Sequence, residues 1–293
     1  MSTPTGKLII IGGSVDKGSY SATPESLPKS LKFFEKGILK RMIDESVKNN
    51  LSRIEIITTA SSIPVEVGAE YIEAFKHLNV LNTAVLDIRT REEANDPKNI
   101  ERLKNADVVM FTGGDQLRLT SIFGGTAFHH LLLDRYENEN FIISGTSAGA
   151  AASSNNMIYQ GSSQEALLKG EVKITGGLGF INNVIIDTHF VQRGRIGRLM
   201  YACASNPINL GIGLGEDTGL LITNGNNMEA IGSGLVILVD ATNMRNTNIT
   251  DAEMGEPVSI DNLTVHAISY GDNFDLKTKR LTLNTIKKKA EGV

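Results

Sequence analysis

The sequence contains a single cysteine, Cys203, and no tryptophan among its 293 residues. One cysteine excludes an intrachain disulfide and a zinc site built from several thiolates, and it fits a reducing compartment. The absence of tryptophan excludes nothing. An excess of positive charge is also missing, because the formal net charge is −4. We therefore expect neither nucleic acid nor an anionic membrane as a partner.

Long apolar runs and proline-rich linkers are absent from the sequence as well. The apolar run in MSTPTGKLIIIGG is too short and too poorly flanked for a secretory signal or a membrane span, so we expect a cytoplasmic protein. Hydrophobic residues make up 41% of the chain and charged residues 21%, which is typical of a globular protein with a substantial core. No repeat marks a boundary, and we expect a single α/β domain over residues 1–293.

What the chain does contain is a regular alternation of apolar strand and helix patterns. Predicted strands cover residues 7–13, 54–59, 84–88, 107–111 and 141–143, and predicted helices cover residues 39–47, 65–78, 92–103 and 127–133. Because β–α–β units join strands of the same direction, this order predicts an open, mostly parallel sheet with helices on both faces.

Beyond residue 155 the alternation weakens. The patterns there predict a strand at residues 184–187, a helix at residues 195–204 and short strands over residues 210–238. Asn224–Gly225–Asn226 predicts a hairpin among those strands. We expect the C-terminal strands to extend the same unit, with the lysines at residues 287–289 in a solvated helix or tail.

The strand at residues 141–143 leads into the motif G-x-S-x-G, which runs from Gly145 to Gly149. Small residues around Ser147 allow a tight turn that exposes its hydroxyl at the carboxyl end of the sheet, which predicts a nucleophile. The amide of Ala148, at the start of the following helix, is a candidate oxyanion donor. The alternative is a glycine-rich turn that serves packing alone.

A second glycine pair, Gly113–Gly114, follows the strand at residues 107–111, where open α/β sheets place ligands. An amide near Gly114 can join that of Ala148 in stabilising an oxyanion. The alternative interpretation is a β–α turn that needs a positive φ angle.

A serine nucleophile needs a base, and the histidines available are His77, His129, His130, His189 and His266. His189 follows a predicted strand and precedes a loop rich in glycine and arginine, so we predict it as the base. The carboxylate that should orient it is harder to locate from sequence. Glu165 lies between nucleophile and base, and Asp187, Glu216 and Asp217 compete with it.

Three arginines, Arg193, Arg195 and Arg198, lie close beside the predicted base in a chain that is acidic overall. Guanidinium groups bind carboxylates in a bidentate manner, so this loop predicts recognition of an acidic substrate. The alternative is a set of structural salt bridges, and we expect at least one of the three to be structural.

Several blocks in this order resemble the cyanophycinase family, within a wider group that includes the aspartyl dipeptidase peptidase E. They are Gly12–Gly13 with Asp16–Lys17, and residues 58–62, 111–119, 145–150, 187–199 and 211–218. Together they span nearly the whole chain. The resemblance implies an α/β fold like that of class I glutamine amidotransferases and a pairing into homodimers.

The resemblance further implies a Ser–His–Glu triad, which falls on Ser147, His189 and Glu165. It also implies a substrate pocket, to which the residues Gln116, Asp187, Thr188, Arg193, Arg195 and Arg198 correspond. Thr188 stands where the family usually has glutamine, and Gly215 stands where an aspartate is common.

The family's substrate is cyanophycin, a poly-aspartate backbone with arginines attached to its side-chain carboxyl groups. The resemblance implies its hydrolysis to β-aspartyl-arginine dipeptides through an acyl-enzyme, and we expect no metal or organic cofactor. Two alternatives stay open at this point. One is a peptidase E-like dipeptidase that acts on short aspartyl or isoaspartyl peptides, and the other is a catalytically silent binding protein.

Overall fold

The computed structural model of the protein describes residues 3–18 and 33–284, so the predicted tail at residues 287–289 lies outside the described residues. The first half alternates strand and helix in the predicted order. Its elements are β1 (Lys7–Ile11), α1 (Ile38–Glu45), β2 (Ile54–Ile57), α2 (Pro64–His77), β3 (Thr83–Leu86), α3 (Pro97–Lys104), β4 (Val108–Phe111), α4 (Gln116–Phe123), α5 (Ala127–Asn138), β5 (Ile142–Thr146) and α6 (Ala148–Ala152). Short 3-10 turns lie at Asn49–Leu51 and Glu93–Asn95.

The second half is mostly strand. Its elements are β6 (Ser154–Gln160), β7 (Lys173–Gly176), β8 (Ile181–Asp187), α7 (Ile196–Ser205), β9 (Leu210–Leu214), β10 (Thr218–Thr223), β11 (Asn227–Gly232), β12 (Val236–Asp240), β13 (Asn246–Thr247), β14 (Ile260–Asp261), β15 (Thr264–Ile268), β16 (Asn273–Asp275) and β17 (Arg280–Thr282). The predicted hairpin is confirmed between β10 and β11, where Asn224 and Gly225 both adopt positive φ.

Two larger sheets organise these strands. The first has the order β17-β16-β11-β10-β1-β5-β4-β2-β3, in which β1, β5, β4, β2 and β3 are mutually parallel. The second has the order β15-β12-β9-β8-β6-β7, with β6, β8 and β9 parallel. The predicted α/β fold with an open sheet is confirmed. The C-terminal strands extend the first sheet at β1, and others contribute to the second.

The core explains why the first strands read as continuous apolar runs. Leu8 and Ile10 of β1 point into a core shared with β8 and β9 of the second sheet, whereas Ile9 and Ile11 point to the opposite face, against α1 and α2. A strand buried on both faces has no polar side to show in its sequence. The short helix α6 lies within the core between the sheets, in contact with β5, β6 and β8.

One predicted helix, at residues 92–103, is divided in the structure. A 3-10 turn covers Glu93–Asn95, Asp96 is extended, and α3 begins at Pro97. Proline disfavours helical geometry in the residue before it, and Asp96 instead caps α3 by accepting a hydrogen bond from the Lys98 amide at 2.8 Å.

Candidate active site

Ser147 lies on the turn between β5 and α6, with φ 50° and ψ −106°. Such angles are strained for a residue with a side chain, and the surrounding contacts hold them. The Ser147 amide donates to the Ile11 carbonyl oxygen at 2.9 Å. The motif glycines allow close packing, because a Cβ on Gly145 would lie 2.4 Å from the carbonyl carbon of Gly149, and one on Gly149 would lie 2.6 Å from the Phe111 oxygen.

His189 follows β8 of the second sheet and reaches across to Ser147. Its Nε2 lies 3.1 Å from Ser147 Oγ, a hydrogen-bonding distance. The residue adopts φ 49°, and its amide donates to the Gly12 carbonyl oxygen at 2.8 Å, which fixes it to the end of β1. The two residues predicted as nucleophile and base therefore meet, although they come from different sheets.

The carboxylate beside His189 is Glu216, not the predicted Glu165. Glu216 Oε1 lies 2.7 Å from His189 Nδ1. Both ring nitrogens of His189 are thus engaged, one by Ser147 and one by Glu216, which leaves none for Glu165. Glu165 is exposed in the loop between β6 and β7. A sequence position between Ser147 and His189 carries no information about distance in space, and this is why the structure does not bring Glu165 to His189 as predicted.

Glu216 was among the competing carboxylates, and a signal for it exists in the sequence. It follows β9 at the turn into β10, so that it stands at the end of a buried strand as His189 does. The hydrogen bond with His189 lowers the pKa of the Glu216 carboxyl below its ordinary value of 4.5. At neutral pH the group is a carboxylate that can hold the imidazole in one tautomer.

The two predicted oxyanion donors, Gly114 and Ala148, line the same cavity as Ser147. Ala148 is the first residue of α6, and the first amides of a helix have no intrahelical acceptor. Gly114 adopts φ 140°, and a Cβ on it would lie 2.1 Å from the Ala60 oxygen, so only glycine fits there. The preceding Gly113 lies against the Ser147 side chain, since a Cβ on it would be 3.4 Å from Ser147 Cβ.

A small polar cavity of about 210 Å³ opens beside the Ser147 hydroxyl. Its lining includes all the predicted site residues apart from Glu165: Gly114, Gln116, Ser147, Ala148, Asp187, Thr188, His189, Arg193, Arg195 and Arg198. Gln116 forms one wall, where its Nε2 donates to the Ile158 oxygen at 3.1 Å. Thr188 is buried beside His189.

The three arginines have different surroundings. Arg198 is buried and holds Asp187 with two nitrogens, Nε at 2.6 Å from Oδ2 and Nη2 against Oδ1, while Nη1 donates to the Gly161 oxygen. Arg195 is partly buried and uses Nη1 for Asp187 and for the Thr188 oxygen. Arg193 is exposed. Burial lowers the pKa of Arg195 to about 10, so its charge persists at neutral pH.

The cavity lining therefore contains three guanidinium groups and one fully buried carboxylate, Asp187. Its negative charge is already matched by Arg198, which leaves an excess of positive charge toward the cavity. An anionic group of a ligand is the natural complement of this surface. As expected for the set, at least one arginine has a structural part, because every Arg198 nitrogen donates within the protein.

No helix within residues 3–18 and 33–284 is long and apolar enough to cross a membrane. Over those same ranges, no group of three or more histidine, cysteine, aspartate or glutamate side chains is arranged to hold a metal ion.

Known proteins resemble this chain along most of its length. Residues 32–230 match the model of peptidase family S51. A cyanophycinase from Trichormus variabilis is 38% identical over 223 residues, which cover 76% of this chain and 75% of that protein. A cyanophycinase from Geminocystis herdmanii is 36% identical over 225 residues, which cover 77% of this chain and 83% of that protein.

A solved structure shares the fold. It is the crystal structure of a peptidase from an acI-B1 Actinobacterium, which superposes with a TM-score of 0.61 at 18% identity and covers 94% of this chain and 98% of that one. At this identity the likeness concerns the fold alone. The resemblance seen in the sequence blocks is confirmed by the match over residues 32–230 and by relatives above 30% identity. The chain is a peptidase and belongs to peptidase family S51.

Proposed function

We propose that Ser147 is the nucleophile of this peptidase, carried on a nucleophile elbow, with His189 as its base and Glu216 as the carboxylate that orients the base. The observation that carries the proposal is one unbroken hydrogen-bonded series. Ser147 Oγ lies 3.1 Å from His189 Nε2, and His189 Nδ1 lies 2.7 Å from Glu216 Oε1. A serine hydroxyl is a weak nucleophile unless an adjacent base accepts its proton.

The reaction proposed for this series has two halves. Ser147 Oγ attacks the scissile carbonyl carbon while its proton passes to His189 Nε2, and the amides of Ala148 and Gly114 bind the oxyanion. His189 then gives the proton to the leaving amine, and an acyl-enzyme forms on Ser147. Water, deprotonated by His189, attacks the acyl group and releases the second product. Glu216 stabilises the imidazolium during both halves.

The substrate we propose is cyanophycin, which the enzyme hydrolyses to β-aspartyl-arginine dipeptides. The names and identities of the two cyanophycinase relatives support this choice. The excess of positive charge in the cavity also supports it, because each arginine attached to the poly-aspartate backbone keeps a free α-carboxylate. Arg193, which is exposed at the cavity, is the residue proposed to grip that group.

The experiment is mass analysis of the products released from purified cyanophycin by the wild type and by Ser147→Ala. We expect β-aspartyl-arginine from the wild type and a loss of about a millionfold in kcat for the variant. Activity on aspartyl dipeptides with none on cyanophycin would show that the substrate is a short peptide and not the polymer. If the wild type releases nothing from either substrate and a serine-directed phosphonate fails to label Ser147, the catalytic proposal is refuted.

We also propose a cytoplasmic homodimer that has no nucleic-acid partner and does not bind membranes. The single cysteine supports a reducing compartment such as the cytoplasm, and the net charge of −4 supports the absence of nucleic-acid and membrane partners. Light scattering of the purified protein measures the oligomeric state directly, and a mass near 31.6 kDa would exclude the dimer.

A further inference from the structure

The three residues after β1, Gly12, Gly13 and Ser14, form a turn that we call the β1 turn. It contacts His189 and the segment that carries Glu216. The Gly12 oxygen accepts the His189 amide at 2.8 Å, and the Gly13 oxygen accepts the Asp217 amide at 2.9 Å. One dipeptide thus holds His189 and the residue next to Glu216. These two segments follow different strands of the second sheet, so the β1 turn fixes their spacing.

The α-carbon of Gly13 packs directly on the imidazole ring of His189. A Cβ at Gly13 would lie 2.3 Å from His189 Cε1 and 2.5 Å from Nε2, and Gly13 adopts φ 108°. Side chains never approach ring atoms so closely, so any larger residue must displace the ring. Displacement of the ring would move Nε2, the nitrogen that faces Ser147 Oγ.

Ser14 adds a polar contact to the same pair. It adopts φ 45°, which is unfavourable for serine. The bond from the Asp217 amide to the Gly13 oxygen brings Ser14 close to Glu216, and the Ser14 side chain contributes to the lowered pKa of that carboxyl. The pKa of Glu216 is lowered by His189 first and also by Ser14 and the charge of Arg193. The side chain of Glu216 is 35% exposed, so few other contacts restrict its position.

We propose that Gly13 and Ser14 are positioning residues of the reaction: Gly13 sets the reach of the His189 ring toward Ser147, and Ser14 fixes the carboxylate that holds the ring. The inference rests on the proposed function of Ser147, His189 and Glu216. Neither positioning residue lines the cavity beside Ser147.

The first test substitutes Gly13→Ala, with Gly179→Ala as the matched control. Gly179 also has positive φ, at 71°, but a Cβ there meets nothing within 4 Å. Both variants carry the backbone strain, and only Gly13→Ala carries the ring clash. We expect kcat to fall about 100-fold in Gly13→Ala with KM nearly unchanged, since a misplacement of about 1 Å costs that much. The control should retain wild-type kcat.

The second test is Ser14→Gly, which relieves the φ strain while it removes the hydroxyl. The variant should be at least as stable as the wild type, yet kcat should fall about tenfold with the loss of the Ser14 hydroxyl beside Glu216. The acid limb of its kcat/KM profile should move to higher pH, because Glu216 loses a donor. A purely structural Ser14 would leave both the rate and the profile unchanged.

A spectroscopic readout separates this inference from the proposed function. We expect the His189 proton on Nδ1 that bonds Glu216 to give a strongly downfield NMR signal, and observing it needs no turnover. We expect that signal to shift in Gly13→Ala and Ser14→Gly and to persist in Gly179→Ala and in Ser147→Ala. Wild-type signals and rates in both positioning variants would overturn the inference, whereas full activity of Ser147→Ala would overturn only the proposed function.

Discussion

Glu216 ends the hydrogen-bonded series of the site, although its side chain is 35% exposed. By accepting the proton of His189 Nδ1, it leaves Nε2 as the acceptor that faces Ser147 Oγ. The tautomer of the base is thereby set by a residue that lies outside the cavity lining.

A matched pair of amide substitutions tests this part of the site. Glu216→Gln should lower kcat roughly 10⁴-fold, because an amide supports the wrong tautomer and does not stabilise the imidazolium. Glu165→Gln, in the exposed loop after β6, should leave kcat unchanged. Steady-state assays of both variants on one substrate decide between the two glutamates, and equal losses would contradict the assignment.

The lowered pKa of Glu216 predicts a direction for the pH dependence of stability. Its pKa in the folded protein lies below the ordinary value of 4.5. The stabilisation it provides is therefore present above pH 4.5 and is lost as pH falls through the folded pKa. Denaturant unfolding from about pH 6 downward should show that the difference in free energy of unfolding between the wild type and Glu216→Gln shrinks as the pH falls below 4.5. A difference that grows toward acid pH would contradict the sign.

At the scale of elements, β8 and α7 are joined through Asp187 and Arg198. Both side chains are buried, and Arg198 uses every nitrogen for the protein. Arg193, five residues earlier, lies exposed at the same cavity. Two arginines five residues apart therefore have separable roles, Arg198 in the fold and Arg193 toward the ligand.

Replacement of each arginine by methionine, which keeps an unbranched stem, separates the two duties. Arg198→Met should lower the free energy of unfolding by about 3 kcal/mol, because a buried carboxylate loses its main partner. Arg193→Met should change stability by less than about 0.5 kcal/mol and should raise KM for an acidic substrate. Urea unfolding and KM measurements check both, and a stability loss in Arg193→Met would contradict the division.

Elements whose signals are local could be predicted from the sequence. That Ser147 and His189 meet is predictable, because the motif, strand and helix of Ser147 are contiguous and His189 follows a buried strand. Glu216 could not be ranked above its rivals, since its approach to His189 depends on how β9 of the second sheet leads into β10 of the first. The break before Pro97 is a different case, in which the restriction on the residue before a proline divides the helix predicted over residues 92–103.

On the scale of the whole molecule, the site depends on both sheets. Ser147 follows β5 of the first sheet, His189 follows β8 of the second, and Glu216 lies where the chain passes from one to the other. The core between them includes residues of both sheets. We propose that the two sheets form one cooperative unit.

The single cysteine reports on that unit. Cys203 lies on α7, fully buried, and burial raises the pKa of its thiol to about 12, so it should be inert in the native protein. We expect a thiol reagent to label Cys203 at the same urea concentration at which activity is lost. Labelling at clearly lower urea, with activity retained, would show that the second sheet opens separately.

Helix α6 is built from alanine and glycine alone, and it lies between the two sheets directly after Ser147. Its side chains are the smallest available, so the diameter of this helix determines how closely the second sheet can pack against the first. The distance between Ser147 Oγ and His189 Nε2 therefore depends on side chains no larger than a methyl group.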